Sequence, residues 1–186
     1  MVMNTYTKSA VLASLMLLIS AASFAHDKAS TLNSALTNTH SKISKRYKAV
    51  SHIKAEDVAT MNADDYLIFD IREQDEFALS HIKNAIWVDP SIDSSGFYEQ
   101  FNNQIEGKTL ILYCSVGVRS SRLAKKLMAA ETKNKPTQIY NLENGIFGWH
   151  NESRPLFQSN QPTDFVHPYN RIWGRMVNRK NLRRYK

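Results

Sequence analysis

An α/β sandwich around a mostly parallel sheet of about five strands is the fold class this sequence predicts, on three observations. Short apolar runs alternate with helical stretches over about a hundred residues, the pattern that lays helices against a parallel sheet. Several of the runs stop at an acid or a turn pair, as compact buried strands do. The length, 186 residues, suits one domain of this kind with segments added at its ends.

The elements follow in order. Lys8 supplies a positive start, Ala10–Ala22 is an uncharged apolar run of 13 residues, and Ser23-Phe24-Ala25 places small residues for cleavage before His26. Residues 1–25 therefore read as a secretory signal peptide, too short in its apolar part for a comfortable membrane span. No twin arginine precedes the run and no cysteine follows the cut, which favours the general secretory route over a lipid anchor; an uncleaved N-terminal anchor is the competing reading. The mature chain is expected to be periplasmic or secreted, with no stable membrane span after cleavage.

Residues 26–49 are polar, and Leu32, Leu36 and Ile43 form a weak helical stripe, so a partly helical lead-in is expected. The domain proper is placed at 50–152. Its predicted strands are Tyr66–Ile71, Ala85–Val88, Thr109–Cys114 and Thr137–Leu142, with Ala49–Ile53 as a short edge strand. Its predicted helices are Ala55–Met61, Glu73–Leu79, Phe97–Ile105 and Ser120–Ala130, the last with Leu123, Leu127 and Met128 on one face. Residues 153–186 form a basic, aromatic extension. Phe165, Tyr169, Ile172 and Trp173 in it can lay an arm over the domain, either as simple packing or as a partner-binding surface.

The net charge of +7 is concentrated in that extension, with Arg171, Arg175, Arg179, Lys180, Arg183, Arg184 and Lys186 near its end. Such a tail can meet an anionic surface, but a solvated terminus explains it as well. No nucleic-acid motif accompanies it, so nucleic-acid binding is not expected.

One cysteine remains to be explained. Cys114 lies in "YCSVGVRSSR" (Tyr113–Arg122), where a strand ends and a helix begins. Ligands of open parallel sheets bind outside the carboxyl ends of the strands. Gly117 can adopt positive φ and curl the chain around the sulfur. Ser120 or Ser121 can cap the following helix, and Arg119 adds a fixed positive charge. These neighbours favour a thiolate over the thiol, whose free pKa is about 8.5, and the thiolate is the nucleophile. A lone cysteine in an oxidising compartment is otherwise a liability unless it is buried.

Three stretches together resemble a known family. Cys114-x-x-Gly117-x-Arg119-Ser120 is similar to the active-site loop of the rhodanese family, Leu67–Val88 resembles its strand and Asp-x-Arg…His-Ile signature, and Ile139–His150 resembles its last strand and Gly-x-x-x-Trp turn. The chain departs from the family pattern at Ser80, where glycine is usual, and at Val116 and Val118, where a basic or polar residue is common. The resemblance implies a rhodanese-like three-layer α/β/α sandwich and sulfur transfer. Thiosulfate or a similar donor is attacked by Cys114, a persulfide is left on the enzyme, and cyanide, a thiol or a protein acceptor takes the outer sulfur. Ser115, Val116, Gly117, Val118, Arg119 and Ser120 are then the candidates to hold the substrate through backbone amides and the Arg119 charge.

Arg72 is a candidate second anion contact near the strand ends. The competing reading is structural, with Asp70 accepting loop hydrogen bonds and Arg72 paired to Glu73, Glu76 or another acid. His81 is expected to support a neighbouring strand or turn. The six histidines show no paired spacing of the metal-site kind, so no metal and no cofactor are expected. Two other functions compete. A cysteine phosphatase or oxyanion reductase uses a related fold, but its Cys-x5-Arg loop is one residue longer than the Cys-x4-Arg here. A non-catalytic binding module would not need Cys114.

Overall fold

The apolar runs become strands. The computed structural model describes residues 34–185; the expected signal peptide, the cleavage site expected after Ala25, and Leu32 lie outside them. Five strands, β1 (Ser51–Ile53), β2 (Tyr66–Asp70), β3 (Ile86–Trp87), β4 (Thr109–Tyr113) and β5 (Gln138–Leu142), form one sheet in the order β1-β5-β4-β2-β3. Every pairing in it is parallel. The helices are α1 (Ser34–Arg46), α2 (Ala55–Val58), α3 (Gln74–Leu79), α4 (Ser94–Ile105), α5 (Val118–Ala129) and α6 (Gly145–Asn151). This is the predicted α/β architecture, a parallel five-stranded sheet with helices around it. No helix among the described residues is long and apolar enough to cross a membrane.

The order places β4 at the centre. Its residues Leu110 to Tyr113 are fully buried, as expected of a strand with neighbours on both sides and helices around it. Register pairs Asp70 at the end of β2 with Tyr113 at the end of β4. The chain runs from β2 out to the edge strand β3, then returns to the other side of β2, so the strand order reverses between β2 and β4. That reversal opens a crevice beyond their carboxyl ends, where open α/β sheets place their ligands.

Packing holds the crevice rigid. Phe69 of β2 meets Phe97 and Phe101 of α4 edge-on, with centroids 5.1 Å away in each case. Tyr98 of α4 donates its hydroxyl to Leu127 O of α5 at 2.9 Å. The Leu36–Ile43 stripe of α1 is buried in the same core. Predicted and observed ends differ at all four predicted helices: α3 starts at Gln74 rather than Glu73, α4 starts at Ser94 rather than Phe97, and α2 and α5 differ as follows. α2 stops at Val58, where the Thr60 hydroxyl donates to Asp57 O at 2.8 Å and offers the backbone an alternative to the next helical bond. α5 starts at Val118 rather than Ser120, because Gly117 (φ 104°) takes the N-cap position. Ser120 and Ser121 therefore lie inside the helix and do not cap it.

After α6 the extension folds back along the domain. A short antiparallel hairpin, β6 (Leu156–Gln158) and β7 (Gln161–Thr163), exchanges backbone hydrogen bonds with His81 through Phe157. Two 3₁₀ turns, Trp173–Met176 and Lys180–Leu182, follow. Asn151 at the end of α6 grips this arm twice, donating to Met176 O and accepting from Asn178 N, each at 2.8 Å. Val166 and Val177 are wholly buried, so the arm has its own apolar anchors.

His150, under the same arm, yields a pH dependence. Its Nε2 pairs with Asp164 O at 3.0 Å while Nδ1 is buried without a partner. Burial, helped by the nearby Arg179 charge and partly opposed by Asp164, lowers its pKa from 6.5 to about 4. Between those values the unfolded chain holds a proton that the folded chain lacks. Stability therefore rises with pH across this window, and this contribution is lost as pH falls. His150→Gln keeps a donor for Asp164 O and removes the titration. Urea unfolding at successive pH values is expected to show the variant losing about 1.4 kcal/mol per pH unit less than the wild type between pH 6.5 and 4.

Candidate active site around Cys114

Cys114 follows the last residue of the central strand, and three residues separate it from α5. It is a free cysteine, 2% exposed. The loop Cys114–Gly117 makes a tight curl that brings the Gly117 N–H to Sγ at 3.2 Å. Gly117 permits the curl through its positive φ, and a Cβ there would also press on the Asn141 side chain at 3.0 Å.

A curl that turns amides toward the sulfur must turn carbonyls away from it, and these need partners. They find them at the start of α6. Ile146 N–H donates to Cys114 O at 2.9 Å, and Phe147 N–H donates to Ser115 O at 3.1 Å. The approach requires Gly145, whose φ is +55° and whose added Cβ would collide with the Cys114 carbonyl oxygen and stand 2.8 Å from Ser115 O. Asn144 before it also adopts left-handed backbone (φ 62°).

Charge is arranged around the same loop. Arg119 lies in the first turn of α5, and its Nη2 donates to Glu76 Oε2 at 2.9 Å and to Ser115 Oγ at 3.1 Å, while Nη1 donates to Glu73 Oε1 at 3.2 Å. Glu76 is almost wholly buried, and its second oxygen accepts the Ser115 hydroxyl at 3.0 Å. Glu73 and Glu76 belong to the capping box that starts α3, so the helix that precedes the site also orients its cation.

The Cys114 thiol responds to both burial and charge. Burial pushes its pKa up, but the Arg119 charge and hydrogen bonds from the loop and first turn of α5 together outweigh it, and the pKa ends below the ordinary value. The Ser120 hydroxyl also lies 2.6 Å from Asn141 Oδ1; backbone amides and the side chains of Ser120 and Arg119 all act on the sulfur. Asn141 in turn donates to His52 Nδ1 at 3.1 Å. The arrangement is a nucleophile that is deprotonated more easily than a free thiol, at the floor of a cavity.

That cavity has a volume of about 160 Å³. Ser115, Val116, Val118 and Arg119 line it from the loop, and Tyr169 and Trp173 line it from the C-terminal arm. Tyr169 lies under the Arg119 guanidinium, 5.0 Å from carbon to ring centroid.

The structure thus brings Cys114, Ser115, Val116, Val118 and Arg119 together at one cavity, with Gly117 shaping it and Ser120 fastening it to β5. Arg72 is placed elsewhere. It is wholly buried, its Nε and Nη2 donate to the Asp70 carboxylate at 2.6–3.1 Å, and Nη2 also reaches Ser80 O at 2.6 Å. Of the two readings of Arg72, the structural one holds and the anion contact does not: Arg72 is the partner of Asp70, because a buried carboxylate at the end of β2 needs a counter-charge. Glu73 and Glu76 pair with Arg119 instead. His81 supports its turn, with Nδ1 against Phe77 O at 3.1 Å and its ring stacked on Phe77. Sequence reasoning missed Glu76, Asn141, Gly145, Tyr169 and Trp173 as parts of the site. Glu73 and Glu76 three residues apart carried a helix-start signal, and Gly145 stood in the Gly-x-x-x-Trp stretch; Asn141, Tyr169 and Trp173 carried none that spacing reveals.

Comparison with known proteins adds three findings. A family model for the rhodanese-like domain matches residues 45–152. Two curated relatives overlap the chain in part. The tRNA uridine(34) hydroxylase of Buchnera aphidicola subsp. Acyrthosiphon pisum is 31% identical over 110 residues, covering 55% of this chain and 32% of that protein. The thiosulfate sulfurtransferase GlpE of Coxiella burnetii is 27% identical over 103 residues, covering 55% of this chain and 87% of that protein. The chain thus spans about a third of the length of the hydroxylase it matches. A solved thiosulfate sulfurtransferase from Pseudomonas aeruginosa shares the fold, with a TM-score of 0.51 at 19% identity over 76% of this chain and 26% of that one.

Two expectations test this geometry. Gly145→Ala places a Cβ against backbone at positive φ, and thermal or urea unfolding is expected to show a loss of about 3 kcal/mol or more. Arg119→Gln removes the charge that favours the thiolate. The pH profile of Cys114 alkylation by iodoacetamide is expected to shift to higher pH, with a slower rate at any pH below the midpoint. An unchanged profile would assign the lowered thiol pKa to the amides and Ser120 alone.

Proposed function

This chain belongs to the rhodanese-like domain family, and from that premise we propose that it is a sulfurtransferase working through a persulfide on Cys114. The observation that carries the reading is the Gly117 N–H directed at Sγ, 3.2 Å away, beside the Arg119 guanidinium. A loop of this kind favours a sulfur anion, and a persulfide is a larger sulfur anion in the same place.

The first half-reaction uses thiosulfate or a similar donor. The Cys114 thiolate attacks the outer sulfur, a new S–S bond forms, the donor's S–S bond breaks, and its electron pair leaves with sulfite. In the second half a thiophilic acceptor, cyanide or a thiol, attacks the outer sulfur of the persulfide and restores the thiolate. The cycle is ping-pong and needs no outside oxidant or reductant. The substrates are small molecules in this reading, with a protein acceptor as a further option. The leader-like residues 1–25 would place the reaction outside the cytoplasm.

Intact mass spectrometry of the reduced protein after incubation with a sulfane-sulfur donor tests the proposal. A gain of one sulfur atom on the wild type, absent from Cys114→Ser and removed by cyanide, is the expected result. Turnover of the Cys114→Ser variant is expected to fall to background. A wild type that gains no sulfur from any donor while Cys114 remains alkylatable would leave the non-catalytic module as the reading.

A further inference from the structure

The walls of the cavity carry information that the reaction type does not use. Thiosulfate is a dianion, and a closed site for it needs cationic or donor groups for its sulfonate oxygens. Among the described residues that line the cavity only Arg119 brings a positive charge. Its guanidinium already donates to Glu73, Glu76 and Ser115. The Ser115 hydroxyl is likewise spent, donating to Glu76 Oε1 at 3.0 Å. What faces the volume beyond the sulfur is apolar: Val116 and Val118 from the loop, Tyr169 and Trp173 from the arm.

The volume has a meaning of its own. A cavity of about 150 Å³ lined by apolar side chains is large enough to hold a benzene ring, and this one measures about 160 Å³. Its aromatic walls are held in place. Tyr169, 45% exposed, lies under Arg119 at 5.0 Å, and its N–H donates to His167 Nδ1 at 3.1 Å. Trp173 opens the 3₁₀ turn whose end is gripped by Asn151. The following Gly174 is buried, and a Cβ there would press on Pro168 at 2.8 Å.

We infer that Tyr169 and Trp173 select a sulfur donor carrying an apolar organic group, a thiosulfonate of the form R–SO₂–S⁻ with R aromatic, in preference to thiosulfate. The inference rests on the sulfur-transfer reading above and names its substrate class. The step is balanced in the same way. The Cys114 thiolate bonds to the outer sulfur, the bond between that sulfur and the sulfonyl sulfur breaks, and the electron pair departs with the sulfinate R–SO₂⁻. One negative charge enters with the donor and one leaves with the sulfinate, so the site never has to hold the second charge that thiosulfate brings. R lies against Tyr169 and Trp173, and the outer sulfur lies at the loop amides.

Three probe donors separate the possibilities: thiosulfate, methanethiosulfonate and benzenethiosulfonate, each assayed for kcat/KM and for sulfur added to Cys114 by intact mass. The wild type is expected to prefer benzenethiosulfonate over methanethiosulfonate by about tenfold or more, the scale of burying one aromatic ring. Most of that preference should appear in KM, because the wall binds R alike before and during the transfer. Trp173→Ala and Tyr169→Asn are expected to bring the benzene-to-methane ratio toward one. Asparagine tolerates the positive φ of residue 169, and Trp173→Leu replaces the alanine variant should that one unfold. A wild type indifferent to R, one that prefers thiosulfate, or variants that keep the full ratio would overturn the inference while leaving the persulfide intact. Failure of all three donors to load sulfur would remove the sulfur-transfer reading itself, and this inference with it.

Discussion

The disposal of two carbonyl groups is the constraint on which the site depends. A loop can present a fan of amides to one atom only if its carbonyls point the other way, and at the floor of a protein those carbonyls cannot be left dry. Here Cys114 O and Ser115 O are received by Ile146 and Phe147 at the start of α6. The contact is so close that residue 145 can have no side chain. The Gly-x-x-x-Trp stretch of the sequence is therefore the back wall of the cysteine loop. Gly145 lets α6 touch the loop, and Trp149 buries against the core four residues on, its indole N–H donating to Pro155 O at 2.9 Å.

Electrostatics is layered around that backbone device. Deep in the crevice, Asp70 and Arg72 neutralise each other with no exposure to water, and the Arg72 guanidinium also lies 5.8 Å from the centroid of the Tyr113 ring. Removing one partner of such a pair commonly costs about 3–5 kcal/mol, because the other charge is stranded. Nearer the sulfur, Arg119 is held by two carboxylates that pull it toward α3. The consequence is a divided role. The guanidinium still lowers the Cys114 pKa through space, yet its hydrogen-bonding capacity toward a second anion is reduced by the acids that position it.

Much of this was legible in the sequence, and the pattern of what was not is physical. Strands such as Tyr66–Asp70 and Thr109–Tyr113 announce themselves because compact runs buried in a parallel sheet leave no room for polar residues. The cysteine loop announces itself because glycine, arginine and serine at those offsets do a local job. Arg72 stayed open to two readings for the opposite reason: an arginine two residues beyond a strand can face a ligand or an acid, and only the fold shows that the acid is Asp70. Glu76, Asn141 and Gly145 act through contacts between segments distant in the chain, and no local period encodes those. The aromatic arm was visible as composition, but its destination depends on Asn151 and His150 gripping it after α6.

That arm also bears on the lone cysteine. A thiol that is easily deprotonated is also one that attacks an existing disulfide of another protein, releasing that partner's second sulfur as a thiolate, and the mixed disulfide left behind needs the two Cα atoms about 4.4–6.8 Å apart. Cys114 is 2% exposed behind a cavity walled by Tyr169 and Trp173, so a second chain's backbone has to displace that arm to come so near. A small molecule meets no such limit, since it only has to enter a cavity of about 160 Å³. The same two side chains thus set a size limit on what reaches Cys114: a small molecule enters the cavity as it stands, and a protein backbone approaches only where the arm gives way.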